Sequence, residues 1–143
     1  MANTYSQISI QVVLAVKGRE NFITKNFRDE LHAYIVGIIN RKNQKSLAVN
    51  EWKDHVHAFF GMEPSMCISD LVGAVKSNSS KWINERNFTK GKFQWQDGYG
   101  AFSYSKSQRD TVIKYILNQE QHHRKKIIQA GISRNAAEGG NKI

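Results

Sequence analysis

Cysteine and proline are almost absent from this sequence: Cys67 and Pro64 are the only examples among 143 residues. A single thiol excludes an internal disulfide and any zinc site built from several cysteines, and it fits a reducing compartment. One proline and a hydrophobic share of 40% favour a folded chain over a disordered one. Long apolar runs are missing as well. Nothing approaches the roughly 18 apolar residues of a membrane span. The opening stretch MANTYSQISI lacks the basic start and apolar block of a secretory signal, so a cytoplasmic protein with no membrane partner is expected. Acidic residues are also scarce, 12 against 21 Lys and Arg, for a formal charge of +9. That balance suits a polyanionic partner, of which nucleic acid is the commonest, although a basic protein without such a partner has the same charge.

What is present reads as one domain, since 143 residues fall within the roughly 100–200 of a single unit. From Tyr5 to Val16 the residues Ile8, Ile10, Val12, Leu14 and Val16 share one face, with Ser9 and Gln11 on the other, which is the period of a strand. Phe27, Leu31, Tyr34, Ile35, Ile38 and Ile39 then recur at helical spacing and predict a helix over about 22–41. Two adjacent strands follow, Ser46 to Trp52 and His55 to Met62. Ser69 is a candidate N-cap for a second helix striped by Leu71, Val72, Val75, Ser79, Trp82 and Ile83. The aromatic, glycine-punctuated stretch from Phe88 to Tyr104 should hold a loop and a strand. Ser105 or Ser107 then opens a third helix bearing Val112, Ile113, Ile116 and Leu117. The order β-α-β-β-α-β-α predicts an α+β fold, an antiparallel sheet with helices covering one face. Residues 127–143 lose all periodicity and read as an irregular tail behind a domain spanning 1–126.

Two stretches raise a chemical question. On a strand, residues i and i+2 share a face, so His55 and His57 in DHVHAFFGM stand side by side and can chelate one cation. Such pairs are more often buried histidines satisfied by backbone, and the pair alone does not decide. In the third helix Tyr115 and Gln119 are i and i+4, stacked on the flank of the apolar stripe where His122 joins them. A polar cluster bordering a packed face is placed to look into a cleft.

The stretches DHVH, ISDLVGAVKSNSSKWIN, FQWQDGYGAFSYS and VIKYILNQEQHH, in that order, resemble the single-tyrosine HUH transposases, the insertion-sequence two-hundred/six-hundred-and-five group and its REP-associated relatives. The His-hydrophobic-His signature is His55-Val56-His57, and the likeness runs from about Tyr5 to His123. The resemblance implies a ferredoxin-like or RRM-like sheet with a tyrosine-bearing helix near the C-terminus. It implies that His55, His57 and Gln119 ligate Mg²⁺ or Mn²⁺ and that Tyr115 is the nucleophile. It further implies a homodimer, in which one subunit's tyrosine helix can complete the other's site, and a substrate of single-stranded DNA with imperfect hairpins. Such a protein would associate with the bacterial nucleoid when bound to DNA.

The residue types suit that chemistry. A divalent cation neutralises nonbridging phosphate oxygens, and a phenol attacking phosphorus conserves the bond as a phosphotyrosine for rejoining. Lys76, Lys81, Arg86, Lys90 and Lys92, interleaved with Trp82, Phe93, Trp95 and Tyr99, are candidate DNA contacts, cations for phosphate and rings for unpaired bases. A relative that nicks hairpins without moving an element, or a hairpin-binding protein that has lost catalysis, is the competing reading. The tail departs from the family, which continues as an amphipathic helix. A frameshift near residue 127 would account for it.

Overall fold

The computed structural model describes residues 7–18, 23–52 and 55–118. Its elements are β1 (Ile8–Ala15), α1 (Arg28–Arg41), β2 (Lys45–Trp52), β3 (His55–Met62), α2 (Ile68–Arg86), β4 (Gly100–Tyr104) and α3 (Arg109–Leu117). The strands form one antiparallel sheet in the order β2-β3-β1-β4, the ferredoxin-like arrangement of an α+β fold. Gln119, His122, the boundary expected at 126 and the tail 127–143 lie outside the described residues.

The central strand explains the layering. β1 is buried along almost its whole length, so both faces are covered. Ile10, Val12, Leu14 and Val16 join Val56, Ala58 and Phe60 of β3 in the main core under α1 and α2, whose Leu31, Ile35, Ile38, Leu71, Val75 and Ile83 seal it. The opposite face carries Ser9, Gln11 and Val13 of β1 beside His57 and Phe59 of β3. There a smaller cluster of Ala48, Phe59, Val112 and Ile116 seats α3. The sheet is therefore covered on both sides, not on one. α3 lies on its own chain's sheet, on the face that bears the histidines.

Three local expectations change. The first helix begins at Arg28 rather than 22, because Ile23 and Phe27 are delivered to the core by a turn in which Thr24 O accepts from the N–H groups of Phe27 and Arg28. α2 opens at Ile68, with extended Cys67 before it and no side-chain cap. Ser69 sits inside the first turn, its Oγ 3.2 Å from Cys67 Sγ. Ser105 opens a 3₁₀ turn, Lys106–Gln108, that runs into α3, and Gln108 Oε1 accepts from Ser105 N–H at 2.9 Å.

One irregularity matters to the site. The β2–β3 ladder pairs Ser46 with Phe60 but Ala48 with Phe59, so Leu47 is a bulged extra residue. Side chains alternate with period 2, so the bulge inverts the facing of everything after it. Asn50 therefore stands opposite His57, on the α3 side. Glu51 faces α1 and forms an ion pair with Arg28.

Candidate active site

His55 and His57 occupy one face of β3, as the spacing predicts. Their environments differ. His55, at the strand's start, is exposed, whereas His57 retains only 6% of its surface. Buried polar atoms need partners. His57 Nδ1 lies 2.7 Å from Gln11 Oε1, and Gln11 Nε2 donates to the Tyr104 hydroxyl at 3.1 Å. Tyr104 meets the Phe59 ring edge-on, with centroids 5.8 Å apart. A polar line thus crosses three strands, from β3 through β1 to β4.

α3 is tied to this face at both ends. At its start, the Arg109 guanidinium donates to Ser9 Oγ through Nε at 3.1 Å and Nη2 at 2.8 Å. At its end, Asn50 Nδ2 donates to the carbonyls of Ile116 at 2.9 Å and Leu117 at 3.2 Å. Helix ends leave carbonyls without intrahelical donors, and a side-chain amide is a suitable substitute. Cross-strand neighbours stand only about 5 Å apart at Cβ. Because Asn50 is the cross-strand partner of His57, the last turn of α3 is anchored beside that histidine. Tyr115 belongs to this turn. It is half-buried and packs against the Ala48, Phe59, Val112 and Ile116 cluster. Ile116 is fully buried in this cluster, whereas Leu117, the next residue round the helix, is 54% exposed.

Two same-face imidazoles and, from the resemblance, one carboxamide are neutral donors that leave positions around a divalent cation for water and phosphate oxygens. Among the described residues there is no cluster of three His, Cys, Asp or Glu side chains that could hold a metal without help from outside them. A third protein ligand would be of another type or come from outside the described residues, and Gln119 is both.

The candidate DNA contacts divide. Lys81, Arg86, Lys90 and Lys92 are exposed. Lys90 and Lys92 line an open depression with Asn84, Asn87, Thr89 and Gly91, and Arg86 lies 5.7 Å from the centre of the Trp82 ring. Lys76 is a clamp. Its Nζ donates to the carbonyls of Gln96 at 2.8 Å and Gly98 at 2.6 Å, pinning the turn before β4. Trp95 is corrected to a core residue, 8% exposed, its indole N–H bonded to Ser79 Oγ at 3.0 Å and its ring edge-on to Phe93. No base could stack on a ring so enclosed. Phe93 is fully buried, and Trp82 stacks on Tyr34 at 4.6 Å. Tyr99, 41% exposed, is the open ring of the group.

Gln11, Asn50, Tyr104 and Arg109 are site residues that the pattern of the sequence did not single out. Gln11 carried the clearest signal, a long polar side chain beside Ser9 on the second face of a strand whose other residues are aliphatic.

With this geometry in view, comparisons with known proteins bear on both the fold and the family. A crystal structure of a protein assigned as a transposase of Deinococcus radiodurans R1 superposes with a TM-score of 0.65 at 21% identity, over 83% of this chain and 95% of that one. The REP-associated tyrosine transposase, in a structure bound to a REP hairpin, gives a TM-score of 0.64 at 11% identity, over 100% of this chain and 97% of that one. At these identities the likeness is one of fold. No curated protein matches the sequence. The family described as IS200-like transposases matches residues 4–119, which is most of the chain and includes both histidines and Tyr115. The chain belongs to the IS200-like transposase family.

Proposed function

We propose that this protein cleaves and rejoins single-stranded DNA at the ends of an insertion element through Tyr115, with a divalent metal at His55 and His57. The observation that carries the reading is the anchoring of α3. Asn50, paired with His57 across the sheet, holds the turn that bears Tyr115 on the histidine face. Family membership supports a DNA transposition role.

His55, His57 and Gln119 would hold Mg²⁺ or Mn²⁺, which when bound supplies Lewis-acid neutralisation of the nonbridging oxygens of the scissile phosphate. The rest is work for the chain. Tyr115 Oη forms the bond to phosphorus as its proton passes to solvent. The bond from phosphorus to the 3′ oxygen breaks, and that oxygen takes up a proton. The products are a 5′-phosphotyrosine and a free 3′-OH, and attack by a 3′-OH on the phosphotyrosine reverses the step without ATP. Packing against the α3 cluster restrains the phenol for this attack, because near-attack geometry lowers the barrier of a displacement. Lys81, Arg86, Lys90 and Lys92 would hold the backbone of an imperfect hairpin, with Tyr99 open to an unpaired base. The acting species is a homodimer, working on DNA in the cytoplasm.

The test is a covalent adduct. Wild-type protein incubated with a labelled single-stranded hairpin oligonucleotide and Mn²⁺ should yield a protein–DNA band on a denaturing gel. Tyr115→Phe should lose it, at a cost of at least about 10⁴-fold, while a gel shift shows binding retained. Binding without any wild-type adduct would leave a hairpin-binding protein instead. An adduct that survives in Tyr115→Phe would move the nucleophile elsewhere.

A further inference from the structure

We infer that Gln11 is a positioning residue for His57: anchored by Tyr104, it fixes the tautomer that presents Nε2 to the metal. The inference rests on the reading of His57 as a ligand, and it adds residues from two further strands to the site.

The register accounts for the contact. Gln11 pairs directly with Phe59 on one side and Phe102 on the other, whereas His57 pairs with Val13 and Tyr104 with Ser9. His57 and Tyr104 are thus diagonal to Gln11, in opposite directions along β1. Diagonal positions on adjacent strands stand about 7–8 Å apart, within reach only of long side chains. A glutamine on the central strand spans both gaps, and asparagine would be too short.

The hydrogen bonds then set the proton. A carboxamide has a donating and an accepting end, and which end faces His57 decides which imidazole nitrogen carries hydrogen. The 2.7 Å contact to His57 Nδ1 is short, as an N–H donating to a carbonyl oxygen can be, and tight for two nitrogens. The 3.1 Å contact to Tyr104 is ordinary for an amide N–H donating to a hydroxyl. Gln11 Oε1 therefore accepts from Nδ1–H. The lone pair is left on Nε2, the nitrogen a metal ligand must offer. Ligating histidines commonly donate their other ring N–H to an acceptor that fixes ring orientation. Gln11 is 3% exposed and His57 6%, so no bulk water competes for either group.

The experiment uses full-length, metal-free protein labelled with ¹⁵N-histidine, and reads the His57 tautomer from two-bond ¹⁵N–¹H correlations near neutral pH. Mn²⁺ affinity is measured separately by calorimetry. Wild type should show the Nδ1–H form. Gln11→Met, of similar volume, should lose that preference and bind Mn²⁺ about 10–100-fold more weakly. Gln11→Glu keeps an acceptor at the same reach and should restore both, whereas Gln11→Asn should not. Tyr104→Phe, which leaves the carboxamide free to turn over, should mix the tautomers, and it remains a test if Gln11→Met fails to fold. An Nε2–H form in wild type overturns the inference, and so does an unchanged tautomer and Mn²⁺ affinity in Gln11→Met. A tautomer that responds as stated in a wild type that binds no Mn²⁺ upholds Gln11's hold on the ring and instead fails the metal reading.

Discussion

The two faces of the sheet are made from the same strands but built to different rules. Under α1 and α2, every inward side chain of the central strand is aliphatic, and helices of 14 and 19 residues close over it. Under α3, a helix of 9 residues covers only part of the surface. The side chains there include serine, glutamine, asparagine and histidine, each tied by a specific hydrogen bond. Apolar contact is non-directional and holds the fold, whereas directional bonds hold geometry. Substitutions on one face should therefore register chiefly as lost stability, and those on the other as lost chemistry.

The strongest contrast comes from the histidines. His55→Ala and His57→Ala should each reduce adduct formation by at least about 10⁴-fold, as should EDTA on wild type, because charge neutralisation at phosphate contributes several kcal/mol. Thermal unfolding should scarcely move for exposed His55 and should fall measurably for His57, which leaves Gln11 Oε1 without its donor. Normal cleavage by either variant would remove the metal role. On the opposite face, Phe60→Ala should cost about 3–5 kcal/mol in urea unfolding, since Phe60 is fully buried. Its adduct yield per folded molecule should be unchanged.

A pH effect belongs to the apolar side. Burial lowers the His32 imidazole from 6.5 to about 4, a shift that Asp29 opposes and Arg28 reinforces. Its Nε2 is buried without a hydrogen-bond partner. The unfolded chain takes up this proton first, so the contribution is complete above about pH 6.5 and declines as pH falls toward 4, by at most about 3 kcal/mol. His32→Gln should flatten that part of the stability profile, and an equal slope in both proteins would refute the assignment. The smallest expected effect is that of Asn50→Ala. Releasing the Ile116 and Leu117 carbonyls should cost about 1–2 kcal/mol and slow cleavage roughly 10-fold by loosening the turn that carries Tyr115. Faster amide exchange confined to the end of α3 would mark the mechanism.

Much of this was legible in the sequence, unevenly. β3 and its two same-face histidines follow from period-2 spacing, and the stripe of α2 is where its apolar residues place it. What one strand's pattern cannot say is which helix will lie on which face. HVHAFFGM is buried on both sides, and α3's position opposite α1 and α2 is a property of packing. Lys76 and Trp95 show the same limit. A lysine among aromatics reads as a DNA contact until two backbone carbonyls are found on its ammonium, and Trp95 reads as a stacking ring until Ser79 is found on its N–H. Gln11 was visible as a polar residue on β1, but its partners are 46 and 93 residues away.

The bulge at Leu47 has an evolutionary side. Before it, β2 obeys one parity and after it the other, so the strand as a whole has no single inward pattern to conserve or to vary. Deleting the Leu47 codon would remove the extra residue and leave Ser46 opposite Phe60 and Ala48 opposite Phe59 in an unbroken ladder. Asn50 would stay opposite His57 and Glu51 opposite Val56, so the two faces beyond the bulge survive the loss of the extra residue. The bulge therefore gives β2 room to lose one residue without exchanging its two faces.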